Sequence, residues 1–493
     1  MSFKNKSKPD INWKFIIKTA GLILIFESLF MFLSAAVSRY FREPAMYALL
    51  LSAGITFVSG LGITLSTGFG KRTKVIGKKE SYLGVALCWM LFALFGALPF
   101  YVGGVVPRFT DAFFESTSGI TTTGATILTD IESVPKGLLF WRSLTQWLGG
   151  MGIIVFSIAL LPVLGGEAAQ LFDAESSGLT HDKFRPRVTQ MAKRLLGIYL
   201  FLSLLVILLL WCGPMGLYDA VCHGFATIST GGFSTRQASI ACWNSVYLET
   251  VIAVFMIVGA INFPLLYFLL KGKFGKFFQD EELRWFLSIL LVVSLVAGFG
   301  LVYNRGYGFP DSFRSSFFQV ISVITTTGFA TDDFSAWGSF YLILFLFLMV
   351  VCGCAGSTSG GLKTVRAVVL VKNTIYEFKR LLHPRAVIPV RLNGSALSFG
   401  IVQRLLAFAF LYISILFVSW GILTLAGMPF VESLGASVTS VGNVGPGFGT
   451  IGPYGSFAGI SPAAKWYLSF LMITGRLEIF TVLILFTPGF WKK

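Results

Sequence analysis

Four clusters of threonine, serine and glycine recur along the chain, each after a short apolar segment and before a long one. Their equivalent glycines are separated by 108, 96 and 117 residues: Gly124, Gly232, Gly328 and Gly445. Glycine adopts backbone angles that are barred to residues with a Cβ, so such a segment can turn successive carbonyl groups to one side. A ring of carbonyl oxygens can replace the hydration shell of a monovalent cation. The clusters therefore predict four loops around one cation pore.

An acidic residue stands 13 positions before the glycine in three of the four clusters. These residues are Asp111, Asp219 and Glu432, whereas the third cluster has Ser315 at that position and Asp311 four residues earlier. A carboxylate is favourable at the N-terminus of a helix because of the helix dipole. The spacing predicts that a short re-entrant helix precedes each glycine loop, with its negative end aimed at the ion path.

A second glycine-rich segment interrupts the apolar stretch that follows the third cluster. It consists of Gly353, Cys354, Ala355, Gly356, Ser357, Thr358, Ser359, Gly360 and Gly361. Each glycine costs a helix about 1 kcal/mol relative to alanine, so we expect the helix to break here. The break is either a simple kink or a flexible gate beneath the pore loops. A phosphate-binding loop is rejected, because Leu362 separates Gly361 from Lys363 and no strand precedes the segment.

A single arginine, Arg476, lies within the last apolar stretch, where a charge is expensive. We expect it to face the conduction path below the pore loops, where it would oppose cation passage or anchor the glycine-rich segment. The alternative is that it pairs with Glu478 or with backbone carbonyl groups.

The surrounding sequence is that of a membrane protein. Of its 493 residues, 55% are hydrophobic and only 13% are charged, with a mean hydropathy of +0.77, whereas soluble proteins carry roughly 25% charged residues. Stretches of about 20 apolar residues can cross a bilayer. Ten such stretches occur, near 15–38, 46–68, 82–106, 138–164, 196–213, 246–270, 284–303, 339–371, 400–426 and 464–487. Three scattered histidines, and six cysteines without a CxxC pair, indicate neither a metal centre nor a disulfide framework.

The net charge of +16 reports orientation in the membrane and does not indicate a nucleic-acid partner. If the N-terminus is cytoplasmic, 27 of the 39 lysines and arginines fall in cytoplasmic segments and nine in outer ones. Such a bias is typical of cytoplasmic loops. It predicts that both termini are cytoplasmic. The basic N-terminal segment with Lys4, Lys6 and Lys8 is expected to be a retained tail and not a cleaved signal.

The repeats predict an all-α polytopic membrane protein with two leader helices and four pseudo-symmetric units of helix, pore loop and helix around one central pore. The predicted boundaries are 1–80 for the leader, 81–195 for repeat 1, 196–282 for repeat 2, 283–391 for repeat 3 and 392–493 for repeat 4.

These features resemble the Trk/Ktr/HKT superfamily of cation transporters, and most closely its TrkH-type potassium uptake subunits. The resemblance covers essentially the whole chain. It rests on four groups similar to the family's filter strands: Thr122, Thr123 and Gly124; Thr230, Gly231 and Gly232; Thr326, Thr327 and Gly328; and Asn443, Val444 and Gly445. The segment Gly353–Gly361 looks like the family's intramembrane gating loop, and Arg476 like its filter-proximal arginine.

The resemblance implies potassium uptake across the inner membrane through a filter of backbone carbonyls. K+ would be the transported ion, and no organic cofactor is expected in this chain. It further implies a homodimer in the lipid bilayer with one pore per subunit, and control by a cytosolic nucleotide-binding (TrkA-like) subunit. Glycine at the equivalent position of all four strands resembles the potassium-selective members, since sodium-preferring relatives commonly carry serine in one strand.

Two other functions stay open from the residues alone. A sodium-selective or proton-coupled symporter would be favoured by acids buried in mid-span, for which Glu27 and Glu249 are the candidates, although both could lie near helix ends. An intramembrane hydrolase would use Ser357 or Ser359 as nucleophile, but it needs a base within reach. The nearest histidine in sequence, His383, lies in a basic segment that we place in the cytoplasm.

Overall fold

The structure is a computed structural model that describes residues 11–67, 77–164 and 184–492. The N-terminal tail with Lys4, Lys6 and Lys8 lies outside the described residues. Within them the regular secondary structure is helical, apart from one short antiparallel hairpin, in which β1 (Arg391–Leu392) pairs with β2 (Ser395–Ala396).

The elements follow the predicted order of a leader and four repeats. The leader comprises α1 (Trp13–Tyr40) and α2 (Ala45–Ser66). Repeat 1 contains α3 (Lys78–Gly96), α4 (Leu98–Val102), α5 (Phe109–Ile120) and α6 (Lys136–Leu164). Repeat 2 contains α7 (Phe184–Trp211), α8 (Leu217–Ile228), α9 (Val246–Ala260), α10 (Phe263–Leu270) and α11 (Phe274–Phe278). Repeat 3 contains α12 (Glu281–Arg305), α13 (Phe309–Ile324), α14 (Ser339–Val351) and α15 (Thr364–Leu382). Repeat 4 contains the hairpin, α16 (Phe399–Leu425), α17 (Phe430–Gly442), α18 (Pro462–Arg476), α19 (Ile479–Leu483) and α20 (Pro488–Trp491).

Helices occupy all ten predicted spans, but three of these spans are not straight. Among the described residues, six helices are long and apolar enough to cross a membrane, and up to eight spans result if each bent pair counts as one. The pair α9 and α10 is bent by 111°, and α18 with α19 and the 3-10 turn after it by 116°. The span predicted at 339–371 ends at Val351 and resumes at Thr364, so the expected helix break is present.

The leader packs through small residues. A Cβ on Gly60 would lie 2.8 Å from the carbonyl oxygen of Gly21, so α1 and α2 approach closely only because these positions are glycine. The turn after α1 then reaches repeat 1, where the Glu43 carboxylate accepts hydrogen bonds from the first two backbone N–H groups of α6, at 2.8 and 3.0 Å.

Large apolar side chains are exposed on the surface, while polar side chains of the pore helices are buried together with the apolar core. The pore-helix residues Ser116, Thr117 and Ser118 are fully buried, whereas Phe410 and Leu425 are 75% and 90% exposed. Apolar side chains on the periphery and polar ones at the centre suit a chain surrounded by lipid, which has no water to satisfy polar groups.

Candidate ion pathway

Four short helices, here called the pore helices, lead into the four glycine clusters: α5, α8, α13 and α17. Asp111, Asp219 and Glu432 lie in the first turns of three of them, as predicted. The apparent exception in the third copy has a simple cause. Helix α13 has 16 residues against 12 or 13 in the others, so Asp311 also lies in a first turn.

All four pore helices end with the same backbone turn. The residue two positions before each glycine has a positive φ: Thr122 (52°), Thr230 (52°), Thr326 (59°) and Asn443 (54°). The N–H of the next residue then donates to the carbonyl five positions earlier, at 2.8–3.0 Å in every repeat. Asparagine tolerates this conformation, but it is strained for the β-branched threonine. Strain at equivalent positions of three repeats is typical of a functional segment.

The four glycines, Gly124, Gly232, Gly328 and Gly445, form a closed ring with their neighbours. Each has a positive φ, between 77° and 106°. A Cβ on any of them would lie 2.6 Å or less from the carbonyl oxygen of the residue before the glycine of an adjacent strand. The contacts run from Gly124 to Gly231, from Gly232 to Thr327, from Gly328 to Val444, and from Gly445 back to Thr123. Four separate segments of sequence therefore meet around one axis, and only glycine fits where they meet.

A cavity of about 50 Å³ opens at this ring and is lined by all four glycines. The other members of the predicted filter lie within the protein. Thr122, Thr123, Thr230, Thr326, Thr327, Asn443 and Val444 are each at most 1% exposed. Asn443 of strand 4 donates through Nδ2 to Thr123 Oγ1 of strand 1 at 2.9 Å, so the strand poorest in threonine is tied to its neighbour.

The segment between α14 and α15, residues 352–363, here called the intramembrane loop, lies against the first residues of the second and third filter groups. Its Thr358 hydroxyl is 3.2 Å from Thr230 Oγ1, and the Gly360 N–H donates to Thr326 Oγ1 at 3.0 Å. Two of the strained threonines are thus bound to the loop. The structure thus brings together the glycine clusters and the intramembrane loop, although Thr230 and Thr358 are more than a hundred residues apart in the sequence.

One carboxylate oxygen ties the intramembrane loop to the first turn of α15. Glu282 Oε1, at the start of α12, accepts hydrogen bonds from the N–H groups of Ala355 (2.7 Å) and Val365 (3.0 Å). Glu282 is 4% exposed. Sequence reasoning missed this residue, because the run Asp280, Glu281 and Glu282 resembles an ordinary acidic helix start.

Arg476 is 3% exposed and binds backbone carbonyls. Its Nη1 donates to Thr358 O at 2.6 Å and its Nη2 to Gly149 O at 3.3 Å. Glu478 pairs instead with Arg366 at 2.6 Å. Both contacts are to backbone carbonyls, and they attach the intramembrane loop to α18 and α6.

A family model described as TrkH, cation transport protein, matches residues 54–493. The chain belongs to the TrkH family. It is 38% identical to the Trk system potassium uptake protein TrkH of Salmonella typhimurium and 37% identical to that of Escherichia coli K12, over 98% of this chain and the full length of each relative. The crystal structure of the potassium transporter TrkH from Vibrio parahaemolyticus is similar, with a TM-score of 0.89 and 35% identity over 98% of this chain and 100% of that chain.

Membership of the TrkH family confirms the predicted resemblance and fold class, and makes the protein a multi-pass membrane transporter. The family consists of transporters and not of enzymes, so the hydrolase hypothesis is wrong. The hydroxyl groups of Ser357 and Ser359, its supposed nucleophiles, lie 2.8 Å apart within the intramembrane loop.

Glu27 and Glu249, the two acids whose burial in mid-span would favour a symporter, differ in position. Glu249 lies in the first turn of α9 and pairs with Arg314 at 2.6 Å. Glu27 lies in the middle of α1 and is fully buried, so the expectation that it could lie near a helix end is wrong.

Proposed function

We propose that this TrkH-family protein takes up K+ across the inner membrane through a filter built from the backbone of the four strands. The closed ring of glycines and carbonyl groups carries the proposal, because it is the arrangement in which carbonyl oxygens from four strands can surround a dehydrated cation. The names of the relatives, potassium uptake proteins in two bacteria and a potassium transporter in a third, support K+ as the transported ion. We expect no organic cofactor in this chain.

Flux from purified protein in liposomes tests this function. We expect uptake of K+ and of its close analogue Rb+, and much slower uptake of Na+. Equal or faster Na+ uptake would favour the sodium-selective alternative. Acceleration of K+ uptake by an imposed proton gradient, at constant membrane potential, would favour the proton-coupled one.

The intramembrane loop is the gate in this proposal. It lies directly against two filter threonines and is held by Arg476 and Glu282. Deletion of Gly356 to Gly360 is expected to raise K+ flux. Unaltered flux in a folded deletion variant would reduce the loop to a kink.

Regulation is assigned to a cytosolic nucleotide-binding subunit (TrkA-like), acting on a homodimer with cytoplasmic termini. The hairpin and α12 form a connected base from which a partner could act: Asn393 donates to Asp280 Oδ2 at 3.0 Å, and the Glu281 N–H donates to Asn393 Oδ1 at 2.7 Å. Glu281 is followed in the sequence by Glu282, which accepts the hydrogen bond from Ala355 of the intramembrane loop. Flux measured with and without the subunit and its nucleotide tests this control, and mass measurement in detergent tests the dimer.

A further inference from the structure

The four pore helices share one position, nine residues before the filter glycine, whose side chains differ in chemistry. The residues there are Glu115, His223, Gln319 and Ala436, and all are at most 1% exposed. Each of the three polar side chains forms a hydrogen bond with a residue that follows the filter glycine of its own repeat. Glu115 accepts from Thr126 Oγ1 and from the Ile127 N–H at 2.9 Å. His223 Nε2 bonds Ser234 Oγ at 2.9 Å, and Gln319 Nε2 donates to Asp332 O at 2.6 Å.

In repeats 1 and 2 the side chains are linked across the strands. Arg142 of α6, 2% exposed, donates through Nε to Glu115 Oε1 at 2.6 Å and through Nη1 to Ser234 O at 2.9 Å. Its guanidinium carbon lies 3.5 Å from the centre of the Phe233 ring. One turn further along α6, Gln146 donates to Gly231 O at 2.6 Å. The Glu115–Arg142 pair therefore joins the segment after Gly124 to the segment after Gly232.

We propose that these side chains, here called the outer braces, are positioning residues that set the spacing of the filter strands and thereby determine ion selectivity. The inference rests on the proposed function of the filter. A buried ion pair contributes little net stability compared with apolar residues of similar size. Its directional hydrogen bonds instead fix the carbonyl positions on which discrimination between K+ and Na+ depends. Ala436 cannot form such bonds, so strand 4 has no brace from this position and serves as an internal control.

Two independent changes test the outer braces in liposomes. The double variant Glu115→Leu with Arg142→Met removes both charges together, so that neither is left buried alone. His223→Leu removes the brace of strand 2. His223 Nδ1 donates to the Asp219 carbonyl, so its Nε2 accepts from the Ser234 hydroxyl. His223→Gln retains an acceptor, its side-chain oxygen, for that hydroxyl. Loss of one or two buried hydrogen bonds is expected to lower the K+ to Na+ flux ratio by about fivefold or more. His223→Gln and the control Ala436→Ser are expected to change that ratio by less than about twofold.

Thermal unfolding in detergent accompanies each flux measurement, because a merely structural role would lower stability and total flux without changing the ratio. An unchanged ratio in the folded double variant, or in folded His223→Leu, would overturn the proposal for that brace. If Gly445→Ala shifts the ratio and the brace variants do not, the filter stands and the braces fail. If none of them shifts it, the proposed filter itself is wrong.

Discussion

Substitution of a filter glycine by alanine should impair selectivity, and Gly445→Ala allows the effect to be worked out. The new Cβ would lie 2.6 Å from Thr123 O, whereas ordinary contacts begin near 3.4 Å. Strand 1 must therefore retreat by about 0.8 Å, and alanine is strained at the φ of 106°. Contacts between a charge and a neutral partner contribute about 1.5–3 kcal/mol each, so displacement of one carbonyl of the ring should lower K+ preference roughly tenfold or more.

The assay is the ratio of Rb+ to Na+ uptake in liposomes, with thermal unfolding measured on the same preparation. Gly421→Ala in α16 of the same repeat is the matched control, because a Cβ there meets no atom within 4 Å. The control should behave as the parent protein. A folded Gly445→Ala variant with the parent's ratio would refute the argument that these glycines allow the carbonyl ring to form.

Three further predictions concern the contacts of the intramembrane loop and the ion pair at the start of the first pore helix. Glu282→Ala removes the acceptor that ties the intramembrane loop to the first turn of α15, and it should raise basal K+ flux. Glu282→Gln keeps an acceptor oxygen and should raise the flux less. Equal flux in both variants would contradict a tethering role. Arg476→Met removes the donors to Thr358 O and Gly149 O and should likewise raise flux, as measured by Rb+ uptake, whereas a decrease would show that the arginine does not restrain the loop. Lys465 pairs with the largely buried Asp111 at 2.6 Å, and Lys465→Met leaves that carboxylate unpaired. This variant should lower the free energy of unfolding by about 3–5 kcal/mol. The double variant Lys465→Met with Asp111→Asn should recover much of the lost stability.

The repeat pattern predicted the architecture because each glycine cluster follows a short helix, of 12 or 13 residues in three repeats and 16 in the third. The positions of Gly124, Gly232, Gly328 and Gly445 identified the loops, and the structure brings them together in one ring. The break at the intramembrane loop was likewise predicted from glycine content alone, and it occurs between Val351 and Thr364.

The contacts that connect these features could not be predicted. Arg142 and Glu115 are 27 residues apart, and Glu282 is 73 residues from Ala355, so no local spacing links them. The bends within the spans at 246–270 and 464–487 were missed for a related reason. Each is a short break within a continuously apolar stretch, where hydropathy does not change.

The most direct test of the central claim is the position of a bound ion. Crystals of the protein grown with Rb+ allow the ion to be located by its anomalous scattering. The account predicts a peak on the axis of the ring, coordinated by carbonyl oxygens from all four strands. A peak elsewhere, or coordination by fewer than four strands, would contradict the filter that we propose.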